Sequence, residues 1–256
     1  MTWLKSQTQS ARRQLRSRRA KRHIDRACAD LSPELLLVDY FDTLVWRSVH
    51  RRDVAAISAA RLASELELAT SVADVLVARR EAERAEGTKN EAAGFDREFD
   101  FLEVAARMHG ELNLERTVAC ADFVELYLEI ELSAELATQR LDQRVVDSVR
   151  RVATSCDVIL VSDFYFPMPT FREMLEHHGL DGIFSSIVIS CDHRLSKATG
   201  RLYDAVLDGL DGERDRSKIL MIGDNPVSDQ AMAASRALST VLLSRPVQPR
   251  ESNHHR

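Results

Sequence analysis

The chain has 256 residues, of which 45% are hydrophobic, and its formal net charge is −5. A chain of this length and composition can form a core domain with a second, inserted domain. Its four cysteines are widely separated and form no Cys-x-x-Cys pair, which excludes a disulfide framework and a cysteine-ligated zinc site. No apolar run approaches the roughly 18 residues of a membrane span, and the first residues lack the apolar segment of a signal peptide, so we expect a cytoplasmic protein.

The first 32 residues form a basic N-terminal extension. They contain nine lysines and arginines against Asp25 and Asp30, a net charge of +7, which leaves −12 on the remainder. We interpret residues 1–32 as a solvated, partly helical extension that packs on the acidic body of the protein. The alternative is a contact with an acidic partner or an anionic membrane surface, with Trp3 and Leu4 as an interfacial anchor. No specific nucleic acid binding is predicted.

From residue 34 onward, strand-like and helix-like segments alternate. Five short apolar runs occupy residues 35–39, 157–162, 186–190, 218–223 and 239–243. Continuous apolar runs of this length are typical of parallel strands buried on both faces. Helices are predicted after the later strands, over Phe171 to His178, Thr199 to Leu210 and Ser228 to Leu238. We therefore predict a doubly wound α/β fold, with a parallel five-stranded sheet in the order 3-2-1-4-5.

About a hundred residues between the first and second strands have helical periodicity and no strand-like alternation. Five helices are predicted there, led by Val54, Val72, Phe99, Val124 and Leu141. Because a crossover between parallel strands needs only about a dozen residues, the excess predicts an inserted all-helical domain. The predicted domains are the N-terminal extension 1–32, a Rossmann-like core of 33–46 and 153–246, a helical insert 47–152, and a C-terminal tail 247–256.

Four short segments carry the residues that point to chemistry. Asp39, Ser162 and Asp224 each follow or end an apolar run, and Lys197 lies between the third and fourth strands. An aspartate at the end of a buried strand can attack phosphorus, and neighbouring carboxylates can bind Mg2+. In the predicted strand order, Asp39 and Asp224 meet at the switch point where ligands bind in such sheets. The alternative for Asp224 and Asp229 is a turn followed by a helix N-cap.

In this order, from about Glu34 to Leu243, the segments resemble the haloacid dehalogenase (HAD) superfamily of aspartate-nucleophile phosphatases. The resemblance is greatest to predicted hydrolases with an Asp-x-Phe-Asp-Thr-Leu motif found in bacterial surface-polysaccharide loci. It implies that the helical insert is a type 1 cap, which closes over the site and contributes to specificity. It also implies a nucleophile, Asp39; a phosphoryl-binding hydroxyl, Ser162; a charge-neutralising lysine, Lys197; and Mg2+ ligands at Asp39, the Phe41 carbonyl and Asp224, with Asp229 as a further ligand or a partner of the ligands.

Phe41 departs from the pattern of phosphatases in this family. They carry at that position a second aspartate, which protonates the departing oxygen. Asp42, one residue further on, is a candidate substitute, since a positioned carboxyl contributes about 10²- to 10⁴-fold to such reactions. The alternative is a turn residue that hydrogen-bonds its own backbone. The 2-haloacid dehalogenases also resemble this motif in having an aromatic residue there, and the halide that they expel needs no proton.

The interval from Asp163 to Lys197 is too short for a second cap, so a small substrate is expected in place of a macromolecule. The cap type and the resemblance to proteins of polysaccharide loci together imply a sugar phosphate or a similar small phosphomonoester. Arg47, where the chain leaves the first motif, is a candidate to bind a second anionic group of the substrate. Thr43 and Asp163 are further substrate-binding candidates. The charged stretch Arg79 to Arg84 is interpreted as a solvated helix face.

The sequence therefore predicts a Mg2+-dependent phosphomonoester hydrolase that acts through an aspartyl-phosphate intermediate. Two alternatives remain. One is a hydrolase that displaces halide, and the other is a weakly catalytic partner of a surface-glycan enzyme, docked through the basic extension.

Overall fold

The computed structural model describes residues 2–67, 70–212 and 214–244, without the side chains of residues 2–10 and Arg12. The predicted C-terminal tail 247–256 and the side chains of Trp3 and Leu4 lie outside the described part. The described chain forms helices and strands in alternation. The α-helices are α1 Thr2–Leu31, α2 Arg51–Glu65, α3 Val72–Ala92, α4 Phe101–Glu111, α5 Cys120–Thr138, α6 Gln143–Val152, α7 Met168–His177, α8 Ser190–His193, α9 Arg201–Asp208 and α10 Met232–Ala234. The strands are β1 Leu35–Val38, β2 Val45–Arg47, β3 Gln139–Leu141, β4 Asp157–Ser162, β5 Ser186–Ile189, β6 Ile219–Gly223 and β7 Ser239–Leu242.

Five of the strands form one parallel sheet in the order β5-β4-β1-β6-β7. Numbered along the chain, these strands have the order 3-2-1-4-5, so the predicted doubly wound α/β fold is confirmed. Val38 at the end of β1 lies opposite Leu160 of β4 and Ile222 of β6. The register therefore brings the carboxyl ends of the three central strands to one edge of the sheet.

The hydrophobic core lies on both faces of this sheet. Leu36 and Val38 of β1 pack into the larger buried cluster, whereas Leu35 and Leu37 pack with Leu202 on the opposite face. All four residues of β1 are fully buried. This two-sided burial explains why the strand sequences are continuously apolar, with no alternation of polar residues.

Helices α2 to α5, which we call the insert helices, pack against one another between the first strand and the return to the sheet. The chain leaves and re-enters through a short antiparallel pair, β2 with β3, in which Val45 lies opposite Leu141 and Arg47 opposite Gln139. The sequence did not predict these strands, since three residues are too few to show a period. Helix α6 packs along α1. The boundaries of the inserted domain stay a prediction, and this packing favours an end before Gln143.

Helix α1 contains the basic extension and packs on the body through one face. Ala20 and Ile24 are buried there. Arg16 binds Asp142 at 2.8 Å, and Asp25 accepts a hydrogen bond from Arg151 at 2.7 Å. No helix among the described residues has both the length and the apolar character needed to cross a bilayer. Contact of this extension with an acidic partner or a membrane surface stays a prediction.

All three helices predicted after the later strands differ from the observed ones at their starts. Helix α9 begins at Arg201, two residues after the predicted Thr199. Helix α7 begins at Met168, before the predicted Phe171, because Pro169 lies in its first turn, where a backbone N–H would have no partner within the helix. In place of a helix from Ser228, a π-helical turn over Pro226–Ala231 leads into the short α10. The Asn225 side chain accepts hydrogen bonds from the backbone N–H groups of residues 227 and 228, which starts this turn early.

Candidate active site

Three buried carboxylates lie together at the carboxyl edge of the sheet. Asp39 directly follows β1, Asp224 directly follows β6, and Asp229 lies in the π-helical turn. One oxygen from each lies within 4.8 Å of the others, and the three residues are 2–7% exposed. The strand order positions the first two side chains, and the π-helical turn brings the third back over them. The sequence predicted all three as metal ligands, and the structure brings them together.

Lys197 connects two of these carboxylates. Its Nζ lies 2.5 Å from Asp39 Oδ1 and 2.7 Å from Asp229 Oδ1, and its backbone N–H donates to Asp163 Oδ1 at 2.9 Å. Burial lowers the pKa of Lys197, but the charges of Asp39, Asp229 and Asp163 outweigh burial and raise it well above its ordinary value. Burial also raises the pKa of Asp39, and the positive charge of Lys197 opposes that rise. The lysine is therefore a fixed cation beside the predicted nucleophile.

Asp229 organises the loop that carries Asp224. Its Oδ2 accepts hydrogen bonds from the backbone N–H of Asp224 at 3.1 Å and of Asn225 at 2.9 Å. Its side chain lies directly against Gly223, where a Cβ atom would fall 2.3 Å from Asp229 Cγ. Only glycine therefore allows this close approach, which is the physical reason for the spacing of the Gly-Asp-x4-Asp motif.

Two buried hydroxyls at the same edge of the sheet have no partner. Among the described residues, nothing hydrogen-bonds to Thr43 Oγ1 or Ser162 Oγ, although both residues are 1% exposed. Buried hydroxyls are normally paired, and an unpaired one is unfavourable by about 1–3 kcal/mol. These two are consequently available to donate to an oxyanion bound beside Asp39.

Phe41 and Asp42 form the turn after the nucleophile. The Phe41 ring lies 4.7 Å from the ring of Phe164 and carries the Arg47 guanidinium 3.7 Å from its centre. Asp42 has φ +57°, its backbone N–H donates to Val45 O at 2.6 Å, and its carbonyl accepts a hydrogen bond from Arg16. Asp42 lines the cavity described next. The roles of the Phe41 carbonyl as a ligand and of Asp42 as an acid stay predictions.

A cavity of about 1140 Å³ lies between this edge of the sheet and the insert helices. Arg47 forms a two-pronged pair with Glu135, through Nε and Nη2 at 2.8 Å each. Arg47 was predicted to bind an anionic group of the substrate, and in this structure it binds the Glu135 carboxylate. Tyr165 OH lies 2.8 Å from an oxygen of both Glu135 and Glu131 and joins the two carboxylates.

The prediction that the stretch Arg79 to Arg84 is a solvated face is wrong for Arg79. This side chain is buried, and it pairs with both oxygens of Glu131 at 2.8 Å. Its partner lies 52 residues away on another helix, so the local charge pattern of α3 did not indicate the pair. The available signal was in α5, where Glu131 and Glu135 fall on the helical stripe of Tyr127 and Ala134.

The segment between α3 and α4 binds the loop that carries Lys197. Asp96 Oδ2 accepts hydrogen bonds from Ser196 N at 2.7 Å and Thr199 Oγ1 at 2.6 Å. Its Oδ1 lies 3.1 Å from an Nη atom of Arg201. Two residues later, Glu98 lines the cavity. The sequence alone does not indicate a role for either acidic residue, because no local pattern marks them.

Comparisons with known proteins agree with this architecture. The family model of haloacid dehalogenase-like hydrolases matches residues 33–235. A search of curated protein sequences found no match. A putative HAD-hydrolase, YfnB from Bacillus subtilis, bound to magnesium, is 17% identical with a TM-score of 0.54, over 82% of this chain and 88% of that one. A 2-haloacid dehalogenase from Pseudomonas syringae pv. Tomato DC3000 is 15% identical with a TM-score of 0.58, over 82% and 86% of the two chains. Likeness at this identity establishes a common fold, and the family match over most of the chain shows that this protein is an enzyme of the haloacid dehalogenase-like hydrolase family.

Proposed function

We propose that this hydrolase is a Mg2+-dependent phosphomonoesterase that acts on a small substrate, a sugar phosphate, through an aspartyl-phosphate intermediate on Asp39. The observation that carries the proposal is the buried cluster of Asp39, Asp224 and Asp229 with Lys197. The two unpaired hydroxyls of Thr43 and Ser162 support it, because they suit the oxygens of a phosphoryl group.

The carboxylate cluster fits Mg2+, which prefers hard oxygen ligands. Asp39 and Asp224 are the proposed direct ligands, together with the Phe41 carbonyl. Asp229 already uses one oxygen for Lys197 and the other for two backbone N–H groups. This favours Asp229 as the residue that holds the ligand loop in place. When bound, the ion would neutralise negative charge on the transferring phosphoryl group.

In the proposed mechanism, a carboxylate oxygen of Asp39 attacks phosphorus in line with the departing oxygen. Lys197 stays protonated and offsets the charge that Asp39 and the phosphate share. Ser162 and Thr43 donate hydrogen bonds to the phosphoryl oxygens. Water then hydrolyses the aspartyl phosphate and regenerates the Asp39 carboxylate.

The cavity supports a polar substrate larger than phosphate itself. Its volume of about 1140 Å³ is slightly above the usual range of about 300–1,000 Å³ for sites that enclose small molecules. Arginine and glutamate side chains alternate on the wall made by the insert helices, and Arg51 and Arg80 line it as exposed cations. Hydroxyl groups and a further negative charge would both find partners on this wall. These features support a phosphorylated carbohydrate.

Halide displacement is the second candidate, since Phe41 takes the place of the usual acid and a departing halide needs no proton. That reaction does not use a metal ion, and a site for it does not need three buried carboxylates with oxygens within 4.8 Å of one another. The carboxylate cluster therefore favours the phosphatase.

A release assay separates the two candidates. The protein is incubated with a panel of sugar phosphates and p-nitrophenyl phosphate, with Mg2+ or with a chelator, and in parallel with 2-chloropropionate. We expect phosphate release that requires Mg2+ and is lost in Asp39→Asn. Asp157→Asn, an exposed aspartate at the start of β4, is the matched control and should retain activity. Chloride release that continues in the chelator would overturn the proposal in favour of halide displacement.

A further inference from the structure

The departing alcohol of a sugar phosphate needs a proton, and Phe41 cannot supply one. Asp42 lines the cavity, but its backbone is fixed in the turn after β1, where its N–H donates to Val45 O and its carbonyl accepts a hydrogen bond from Arg16. A carboxyl that lines the same cavity from another element is the alternative source of this proton.

Glu98 occupies a fixed position over the same cavity. The segment that carries it is attached to the core on both sides. On one side Asp96 binds the loop of Lys197, and on the other Phe101 N donates to Tyr165 O at 2.9 Å. Between these anchors, the Glu98 side chain accepts a hydrogen bond from Ser190 Oγ at 2.5 Å. Glu98 is thereby held by the core and not by the insert helices alone.

The surroundings of Glu98 favour its protonated form. Burial raises the pKa of Glu98 to about 7, the Ser190 hydrogen bond opposes this rise, and the negative charges of Asp163 and Asp96 add to it. A group with a pKa near the working pH is the most effective general acid, because it is both protonated and able to release its proton.

We infer that Glu98, from the segment between α3 and α4, is the general acid of this enzyme, in place of the aspartate that Phe41 replaces. This inference rests on the proposed phosphatase function. In the first step Asp39 forms a bond to phosphorus, the bond from phosphorus to the substrate oxygen breaks, and the Glu98 proton moves to that oxygen to release an alcohol. In the second step water attacks phosphorus and gives a proton to the Glu98 carboxylate, while the bond from Asp39 to phosphorus breaks.

The test compares two substrates whose leaving groups differ in basicity. Glu98→Gln should lower kcat/KM by about 100-fold or more on a sugar 6-phosphate, in keeping with the usual contribution of a general acid. On p-nitrophenyl phosphate, whose phenolate leaves without a proton, kcat/KM should fall less than about threefold. We compare kcat/KM because it reports the step that forms the aspartyl phosphate, whereas kcat also contains its hydrolysis, in which Glu98 accepts a proton with either substrate. The matched control is Glu91→Gln, which makes the same change at an exposed residue of the neighbouring helix. It should leave both rates unchanged.

The pH profile gives a second result from the same variants. In the unmodified protein, kcat/KM on the sugar phosphate should fall as pH rises through the pKa of the acid, and this limb should be absent in Glu98→Gln. Separately, carbon-13 NMR should detect a glutamate that titrates near pH 7 and is missing in Glu98→Gln. A Glu98 that titrates near its ordinary 4.5 would overturn the inference.

The remaining outcomes distinguish this inference from the proposed function. Equal losses of kcat/KM on the two substrates would show that Glu98 is not the general acid and has a structural role. A selective loss on the sugar phosphate in Asp42→Asn, with none in Glu98→Gln, would assign the acid to Asp42. If neither the sugar 6-phosphate nor p-nitrophenyl phosphate is hydrolysed with Mg2+ present, the proposed function fails, and the inference about Glu98 fails with it. Hydrolysis of p-nitrophenyl phosphate that depends on Asp39 supports the proposed function whatever the role of Glu98.

Discussion

Replacement of Ser162 by alanine should stabilise the free protein while it removes activity. The Ser162 side chain is buried, and its Oγ has no hydrogen-bond partner among the described residues. Burial of an unpaired hydroxyl is unfavourable by about 1–3 kcal/mol, and alanine removes that penalty. The void left by one oxygen atom offsets under about 1 kcal/mol of this gain. We therefore expect Ser162→Ala to raise the free energy of unfolding by about 0.5–2 kcal/mol.

The same substitution should slow the reaction. If Ser162 donates a hydrogen bond to the phosphoryl group in the transition state, its loss should resemble loss of an oxyanion-binding donor, about 10²- to 10³-fold in kcat. Urea denaturation without Mg2+ measures the change in stability, and phosphate release in the same buffer with Mg2+ added measures the change in activity. A gain in stability together with a loss of activity would show that the Ser162 hydroxyl is positioned to bind a ligand.

Ser148→Ala is the matched control for this experiment. Ser148 is also buried, but its Oγ donates to Asp25 Oδ1 at 2.9 Å and accepts from Arg151 at 3.0 Å. Its loss should destabilise the protein by about 1–3 kcal/mol and leave activity intact. If Ser162→Ala destabilises the protein as Ser148→Ala does, or if it keeps full activity, then the Ser162 hydroxyl does not serve as a donor to the phosphoryl group.

Three further predictions concern the metal, the N-terminal helix and acid stability. Mg2+ at 100 times its dissociation constant should stabilise the protein by about 2.7 kcal/mol and so raise its melting temperature in thermal scans. Asp224→Ala should abolish this rise in melting temperature. The same rise in Asp224→Ala as in the unmodified protein would show that the ion binds elsewhere. Arg16→Lys should lower kcat by about tenfold, because a lysine cannot bind the Asp42 carbonyl and the Asp142 carboxylate at the same time as the arginine does. Full activity in this variant would show that Arg16 does not position the turn of Phe41 and Asp42. Burial, followed by the charges of His177 and Arg140, lowers the pKa of His178 from 6.5 to about 4. As pH decreases, the unfolded chain binds a proton at His178 at a higher pH than the folded protein does, so the free energy of unfolding should fall between about pH 6.5 and 4. Urea denaturation at several pH values measures this fall, which should be smaller in His178→Asn. The same fall in the variant would contradict this prediction.

The sheet and the residues at its edge were predictable because both depend on short, local patterns. A continuous apolar run that ends in aspartate identifies both a buried strand and the residue at its tip. The common order of such strands then brings Asp39 beside Asp224 without any knowledge of side-chain contacts. Gly223 and Asp229 are close in the chain, so the local Gly-Asp-x4-Asp motif also predicts their contact.

The wall of the cavity was not predictable in the same way. The helical stripe of α5 indicates that Glu131 faces inward, but its partner Arg79 is 52 residues away and looks like an ordinary charged position on an exposed helix. Glu98 and Ser190 are 92 residues apart, and their contact depends on how the insert helices meet the core. Charge patterns along one helix contain no information on partners from another, so the substrate side of the site required the three-dimensional structure.

The covalent state of Asp39 during turnover tests the central claim most directly. The protein is mixed with p-nitrophenyl phosphate and Mg2+, quenched in acid within the first turnover, and digested for mass spectrometry. We expect the peptide containing Asp39 to carry one additional phosphoryl group, and we expect Asp39→Asn neither to carry it nor to retain more than about one per cent of the activity. Turnover with an unmodified Asp39 peptide, or substantial turnover by Asp39→Asn, would contradict it.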